Sequence, residues 1–123
     1  KFCNQFDYPY IKAIRVSPDL NIERAIEHFN PKGGFLFDTW HPKKYGGTGG
    51  TFDWDVLPNE LKAPKILAGG LTSTNVGQAI KIARPDVVDV SGGVESLKGI
   101  KDERLIANFV DSVGSADMKI YKK

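Results

Sequence analysis

Four short apolar segments, each followed by a polar or amphipathic stretch, limit the fold of this sequence more than any other feature. They cover residues 10–16, 35–37, 65–68 and 87–90. Each is almost continuously apolar rather than alternating, as expected for a buried strand of a parallel sheet that is covered on both faces. Since crossover connections between neighbouring strands are right-handed, the four strands are predicted to run parallel. The sequence therefore predicts an α/β fold.

Three of the intervening stretches show the i, i+3, i+4, i+7 spacing of an amphipathic helix. The first apolar stripe runs from Ile22 to Phe29, the second from Val76 to Ala83 and the third from Leu105 to Val113. Asp102 precedes the third stripe and is predicted to cap that helix. Residues 52–57 predict a shorter helix that stops near Pro58.

The four βα units are too few for a closed barrel of the usual size. A (β/α)₈ barrel has about 200 to 250 residues, so the 123 residues of this chain correspond to about half of one. We expect a single domain over residues 1–123, of (β/α)₈ TIM-barrel type, whose open sheet edges are closed by a missing segment or by a second copy. An open four-stranded sheet is the alternative.

Composition excludes several classes of function. Apolar residues make up 41% and charged residues 26%, which is usual for a globular domain. The basic residues form no stripe that could follow nucleic acid, and no apolar run has the roughly 20 residues of a membrane span. The single cysteine, Cys3, suits a reducing compartment and has no second cysteine with which to bind zinc. We expect a cytoplasmic protein without a metal, and we expect Cys3 to be a packing residue.

Asp38 is the first candidate for chemistry, because it ends the second apolar segment abruptly. Functional groups of barrel enzymes stand at the carboxyl ends of strands, and a carboxyl there loses hydration, which favours its proton-donating form. Asp38 could instead organise a turn. A nearby histidine, His41, has no carboxylate partner and is a weak candidate, and His28 is expected to be solvated on the first helix.

Glycine pairs follow the third and fourth strands. Gly69 and Gly70 follow the third, and Ser91, Gly92 and Gly93 follow the fourth. Glycines let backbone amides approach an anion, and in a barrel the last two strands are where phosphate often binds. We therefore expect a phosphate site at these two turns. The glycine-rich residues 45–51 lack the lysine of a nucleotide-binding loop and are interpreted as a hinged cover or a flexible connector.

Several short motifs occur in one order along nearly the whole chain and resemble phosphoribosylanthranilate isomerase. They are Ile11-Lys12-Ala13, Phe37-Asp38-Thr39, the Gly-Gly-Thr-Gly loop, Phe52-Asp53-Trp54, Leu67-Ala68-Gly69-Gly70-Leu71, Asn75-Val76, the residues 89–95, and Gly99-Ile100-Lys101-Asp102. The resemblance corresponds to strands five to eight of the barrel of that family.

The resemblance implies an Amadori rearrangement in tryptophan biosynthesis without cofactor or metal. It implies that Asp38 is the general acid, that Gly69, Gly70, Gly92 and Gly93 surround the phosphate, and that Asp89 contacts sugar hydroxyls. The cysteine base of the family and its arginine for the anthranilate carboxylate belong to segments that this chain does not contain, and Cys3 does not match that cysteine. The implied partners are a phosphosugar substrate and the missing amino-terminal half. The alternatives are another phosphosugar barrel enzyme and an inactive half-barrel module for phosphate binding or folding.

Overall fold

The computed structural model describes residues 8–17, 19–39 and 54–121, and within them a four-stranded parallel sheet. Its strands lie side by side in chain order, as β1 (Ile11–Val16), β2 (Gly34–Thr39), β3 (Lys65–Leu67) and β4 (Val87–Val88). The predicted strands and their parallel direction are therefore confirmed. The fourth strand is shorter than predicted, with two residues in the sheet.

Among the described residues, three α-helices accompany the sheet: α1 (Ile22–Ile26), α2 (Val76–Ala83) and α3 (Glu103–Tyr121). The bounds of α2 match its apolar stripe, whereas α1 ends before the predicted Phe29. The carboxylate of Asp102 accepts hydrogen bonds from the amides of Arg104 and Leu105, at 2.8 and 3.0 Å, so the predicted cap of α3 is confirmed. Among the described residues, no helix combines the length and apolar character needed to cross a bilayer.

Two short segments differ from the sequence-based expectation. Residues Trp54–Val56 form a single turn of 3-10 helix, and residues 52 and 53 of the predicted helix lie outside the described residues. An antiparallel hairpin of β5 (Glu95–Leu97) and β6 (Ile100–Lys101) stands between β4 and α3. Its strands have three and two residues, too few to produce a recognisable alternating pattern.

The helices pack on one face of the sheet. The core on that face contains Ile14, Val16, Phe35, Phe37 and Leu67 together with side chains from all three helices. Side chains alternate along a strand, so the intervening residues point to the opposite face. There, Ile11 remains 54% exposed and Val87 49% exposed. On this same face, however, Ile66 of the inner strand β3 is buried, at 7% exposed. The expectation that both faces are covered therefore fails at the outer strands β1 and β4 of the described sheet, because α1, α2 and α3 all contribute to the same core.

A buried lysine marks the amino-terminal end of β3. Lys65 is 4% exposed, and its ammonium donates a 2.6 Å hydrogen bond to the carbonyl of Ala83, the last residue of α2. The backbone amide of Lys65 donates to the carboxylate of Asp86 at 2.8 Å. Burial lowers the pKa of Lys65, and attraction to Asp86 offsets this only in part. These contacts attach α2 to the sheet at the end opposite the candidate site.

Candidate active site

Asp38 lies at the carboxyl end of β2, in register with Arg15 of β1. Its neighbour Phe37 is fully buried under the helices. Because alternate residues of a strand face opposite ways, Asp38 lies on the other face, where its side chain is partly buried. The structure therefore places a carboxyl group at the carboxyl-terminal edge of the sheet, where all four parallel strands end.

The ends of the next two strands meet Asp38 at the same edge. The amide of Ala68 donates to the carbonyl of Phe37 at 2.9 Å, and the amide of Asp89 donates to the carbonyl of Leu67 at 2.8 Å. These bonds continue the parallel pairing one residue past β3 and β4. Asp38, the turn after Ala68 and Asp89 are thereby brought to neighbouring positions, as predicted from the strand order.

The turn after β3 depends on glycine conformations. Gly69 and Gly70 have φ angles of 90° and 69°, in the left-handed region where residues with a Cβ are disfavoured. The side chain of Asn75 supports this turn from both sides. Its amide nitrogen donates to the carbonyl of Gly70 at 2.9 Å, and its oxygen accepts from the amide of Thr72 at 2.8 Å. In the sequence Asn75 stands out only as part of the motif Asn75-Val76, which gives no sign of this role.

The turn after β4 packs directly against the first turn. A methyl group on Gly93 would overlap the carbonyl oxygen of Leu71, so only glycine allows this contact. Gly92 has no atom within 4 Å of the position that its Cβ would occupy. Ser91 and Asp89 are exposed beside it. The two glycine turns thus form one continuous, accessible backbone surface next to the end of β2.

A lysine from the hairpin supports the second turn. The ammonium of Lys101 donates to the carbonyl and hydroxyl oxygens of Ser91, both at 3.1 Å, and to the carboxylate of Glu95 at 2.5 Å. The pKa of the Glu95 carboxyl lies below its ordinary value, chiefly because of the hydrogen bond from Lys101. A second hydrogen bond, from the backbone amide of Gly99, lowers this pKa further. In the sequence Lys101 belongs to the motif Gly99-Ile100-Lys101-Asp102, but no local pattern links it to Ser91, ten residues earlier, so this role could not be predicted.

The other candidates lie away from this edge or outside the described residues. His28 is exposed on the turn after α1, and its ring nitrogen lies 3.3 Å from the carboxylate of Glu27. Cys3, His41 and the glycine-rich residues 45–51 lie outside the described residues. Within residues 8–17, 19–39 and 54–121, no three His, Cys, Asp or Glu side chains are grouped so as to hold a metal ion.

Comparison with known proteins finds one family consistently. A family model described as N-(5'-phosphoribosyl)anthranilate (PRA) isomerase matches residues 2–112. The N-(5'-phosphoribosyl)anthranilate isomerase of Neisseria meningitidis serogroup C is 51% identical over 109 residues, which cover 89% of this chain and 52% of that protein. The chain thus spans about half the length of this relative.

Solved structures agree with the sequence comparison. The crystal structure of phosphoribosyl anthranilate isomerase from Thermotoga maritima matches with a TM-score of 0.75 and 38% identity, covering 92% of this chain and 56% of that one. A phosphoribosyl anthranilate isomerase crystallised with reduced 1-(o-carboxyphenylamino)-1-deoxyribulose 5-phosphate matches with a TM-score of 0.61 and 32% identity, covering 85% and 48%.

Proposed function

Because the chain belongs to the phosphoribosylanthranilate isomerase family, we propose that it provides part of an enzyme that catalyses an Amadori rearrangement in tryptophan biosynthesis. The substrate is N-(5-phosphoribosyl)anthranilate, and the product is the corresponding carboxyphenylamino-deoxyribulose phosphate. The observation that carries this proposal is that Asp38 and the two glycine turns lie together at the carboxyl ends of the parallel strands.

In this proposal the chain is a single domain, residues 1–123, that forms the (β/α)₄ half of a (β/α)₈ barrel. Four parallel strands in chain order and a chain that spans 52% of a relative support it. The sheet face opposite the helices, on which Ile11 and Val87 are about half exposed, becomes the interior of the closed barrel. The amino-terminal half, or a second copy, covers this face. The single cysteine favours a cytoplasmic location.

The phosphate group binds at the two turns. Backbone amides around Gly69, Gly70, Gly92 and Gly93 are suited to an anion, because glycine allows close approach of the main chain. The exposed hydroxyl of Ser91 adds a donor beside the second turn. Asp89, which follows β4 on the same edge, accepts hydrogen bonds from sugar hydroxyls. The phosphate thereby fixes the sugar near the end of β2.

Asp38 acts as the general acid in this mechanism. It donates a proton to the furanose ring oxygen as the bond from that oxygen to the anomeric carbon breaks, which leaves an open-chain iminium ion. A base then removes the proton from the neighbouring sugar carbon, and the resulting enolamine rearranges to the ketone. The family's cysteine base belongs to the amino-terminal half, so this chain provides the acid and the phosphate site only. No metal or cofactor takes part.

Substitution of Asp38 by asparagine tests the acid assignment in the enzyme completed with its amino-terminal half. General acids contribute about 10² to 10⁴ in rate, so kcat should fall by about that factor while phosphate affinity is retained. Asp111→Asn, an exposed substitution on α3, is the matched control and should leave kcat unchanged. Unchanged turnover in Asp38→Asn would remove the acid assignment.

The same completed protein separates the alternatives. Turnover of another sugar phosphate, with none of phosphoribosylanthranilate, would identify a different phosphosugar enzyme. Phosphate binding by a dimer of the chain, without isomerase activity in the completed protein, would identify a half-barrel binding module.

A further inference from the structure

The hairpin between β4 and α3 holds the second glycine turn through one side chain. An ammonium group has three N–H donors. Lys101 uses them on the carbonyl of Ser91, the hydroxyl of Ser91 and the carboxylate of Glu95, at 3.1, 3.1 and 2.5 Å. All three acceptors belong to the protein, so the ammonium of Lys101 is directed at the turn and at Glu95.

The hairpin is itself built to place this lysine. Gly99 has a φ of 84°, which allows the tight turn between β5 and β6, and its amide donates to the second carboxylate oxygen of Glu95 at 3.0 Å. The amide of Asp102 donates to the carbonyl of Val94 at 2.8 Å, which joins the end of the hairpin to the end of the turn. The hairpin is thus attached to the turn at both Ser91 and Val94.

We propose that Lys101 is a positioning residue that holds the turn from Ser91 to Gly93 in its phosphate-binding conformation. This inference rests on the phosphate site of the function proposed above. Glycine has more conformational freedom to lose than any other residue, so a turn with two glycines in succession is costly to order. Ordering that is completed before the ligand arrives does not reduce binding affinity. Lys101 supplies that ordering by fixing both polar oxygens of Ser91.

The test compares Lys101→Met with Lys98→Met in the full chain. Lys98 is an exposed residue of the same hairpin that acts on Glu95 through its charge. Both variants lose one positive charge, but only Lys101→Met loses the contacts to Ser91. Two quantities are measured, namely hydrogen exchange of the Val94 amide, which donates to the carbonyl of Ser91 and so closes the turn, and the affinity for inorganic phosphate by NMR titration.

We expect faster exchange at the turn in Lys101→Met, unchanged exchange in the core amides of α2, and a phosphate Kd raised about tenfold, equivalent to about 1.4 kcal/mol. Lys98→Met should change none of these. In the completed enzyme, Lys101→Met should raise KM for the substrate while kcat stays within about twofold, since the lysine acts on binding.

Equal changes of exchange and phosphate Kd in the two variants would show that Lys101 acts only through its charge, and would overturn the inference. Unchanged exchange at the turn in Lys101→Met would overturn it as well. A wild-type chain that does not bind phosphate would refute the proposed phosphate site, whereas the exchange comparison would still decide whether Lys101 orders the turn.

If Lys101→Met does not fold, Glu95→Gln weakens the same contact and keeps the side-chain shape. Faster exchange of the Val94 amide in that variant supports the inference, and unchanged exchange overturns it.

Discussion

Replacement of Gly93 by alanine would test directly whether the two glycine turns form one surface. The added methyl group would overlap the carbonyl oxygen of Leu71 and lie 3.0 Å from its carbonyl carbon and 3.1 Å from Cγ2 of Val90. Since Leu71 opposes the methyl with its backbone, no side-chain rotation can relieve the clash. Gly92→Ala is a matched control at the adjacent position, where nothing lies within 4 Å.

The size of the effect follows from these contacts. Forcing an extra carbon into a packed contact costs about 1 to 3 kcal/mol, whereas a surface substitution changes stability by less than about 0.5 kcal/mol. Unfolding entropy is about 2.1 cal/mol/K per residue, so in a chain of 123 residues each kcal/mol shifts Tm by about 4 °C. Gly93→Ala should therefore lower Tm by about 4 to 12 °C, and Gly92→Ala by at most about 2 °C.

Thermal unfolding followed by circular dichroism measures both shifts, and phosphate titration of the same samples measures the site. Because Gly93→Ala pushes the Leu71 backbone away from the second turn, phosphate affinity should fall together with stability. A Gly93→Ala variant as stable as Gly92→Ala, with wild-type phosphate affinity, would refute the packing of the two turns described above.

Two further substitutions test contacts outside the turns. Asp102→Ala removes both cap hydrogen bonds of α3 and should lower the free energy of unfolding, measured by urea denaturation, by about 0.5 to 2 kcal/mol. Asp111→Ala on the same helix is the control and should have little effect. Equal effects of the two substitutions would contradict the cap. Lys65→Met tests the buried ammonium. The folded-state pKa of Lys65 lies below its ordinary value of 10.5, so the unfolded chain binds more protons between those two values, and wild-type stability should rise with pH there relative to Lys65→Met. Urea midpoints of both proteins, measured up to about pH 11 so that the range passes the ordinary pKa of 10.5, test this difference, and parallel curves over the whole range would contradict the desolvation of the lysine.

The sequence alone determined the order and type of the main elements. Short apolar runs identify the strands, and a 3.6-residue period identifies α2, because burial of a local segment requires a local pattern of apolar residues. Asp38 and the glycine pairs could be found for the same reason, since each follows directly after an apolar run. The strand order then placed them at one edge, because parallel strands end on the same side.

Only the tertiary structure decided which distant segments are in contact and on which face of the sheet the helices pack. The overlap that excludes a side chain at Gly93 involves Leu71, and the donors of Lys101 reach back to Ser91. Neither pair lies within one element, so no periodicity records it. The face on which the helices pack could not be predicted either, since apolar strand residues indicate that burial is needed but not which segment provides it. Packing of several elements against each other determines such contacts, and that information is distributed over the whole chain rather than held in any one segment.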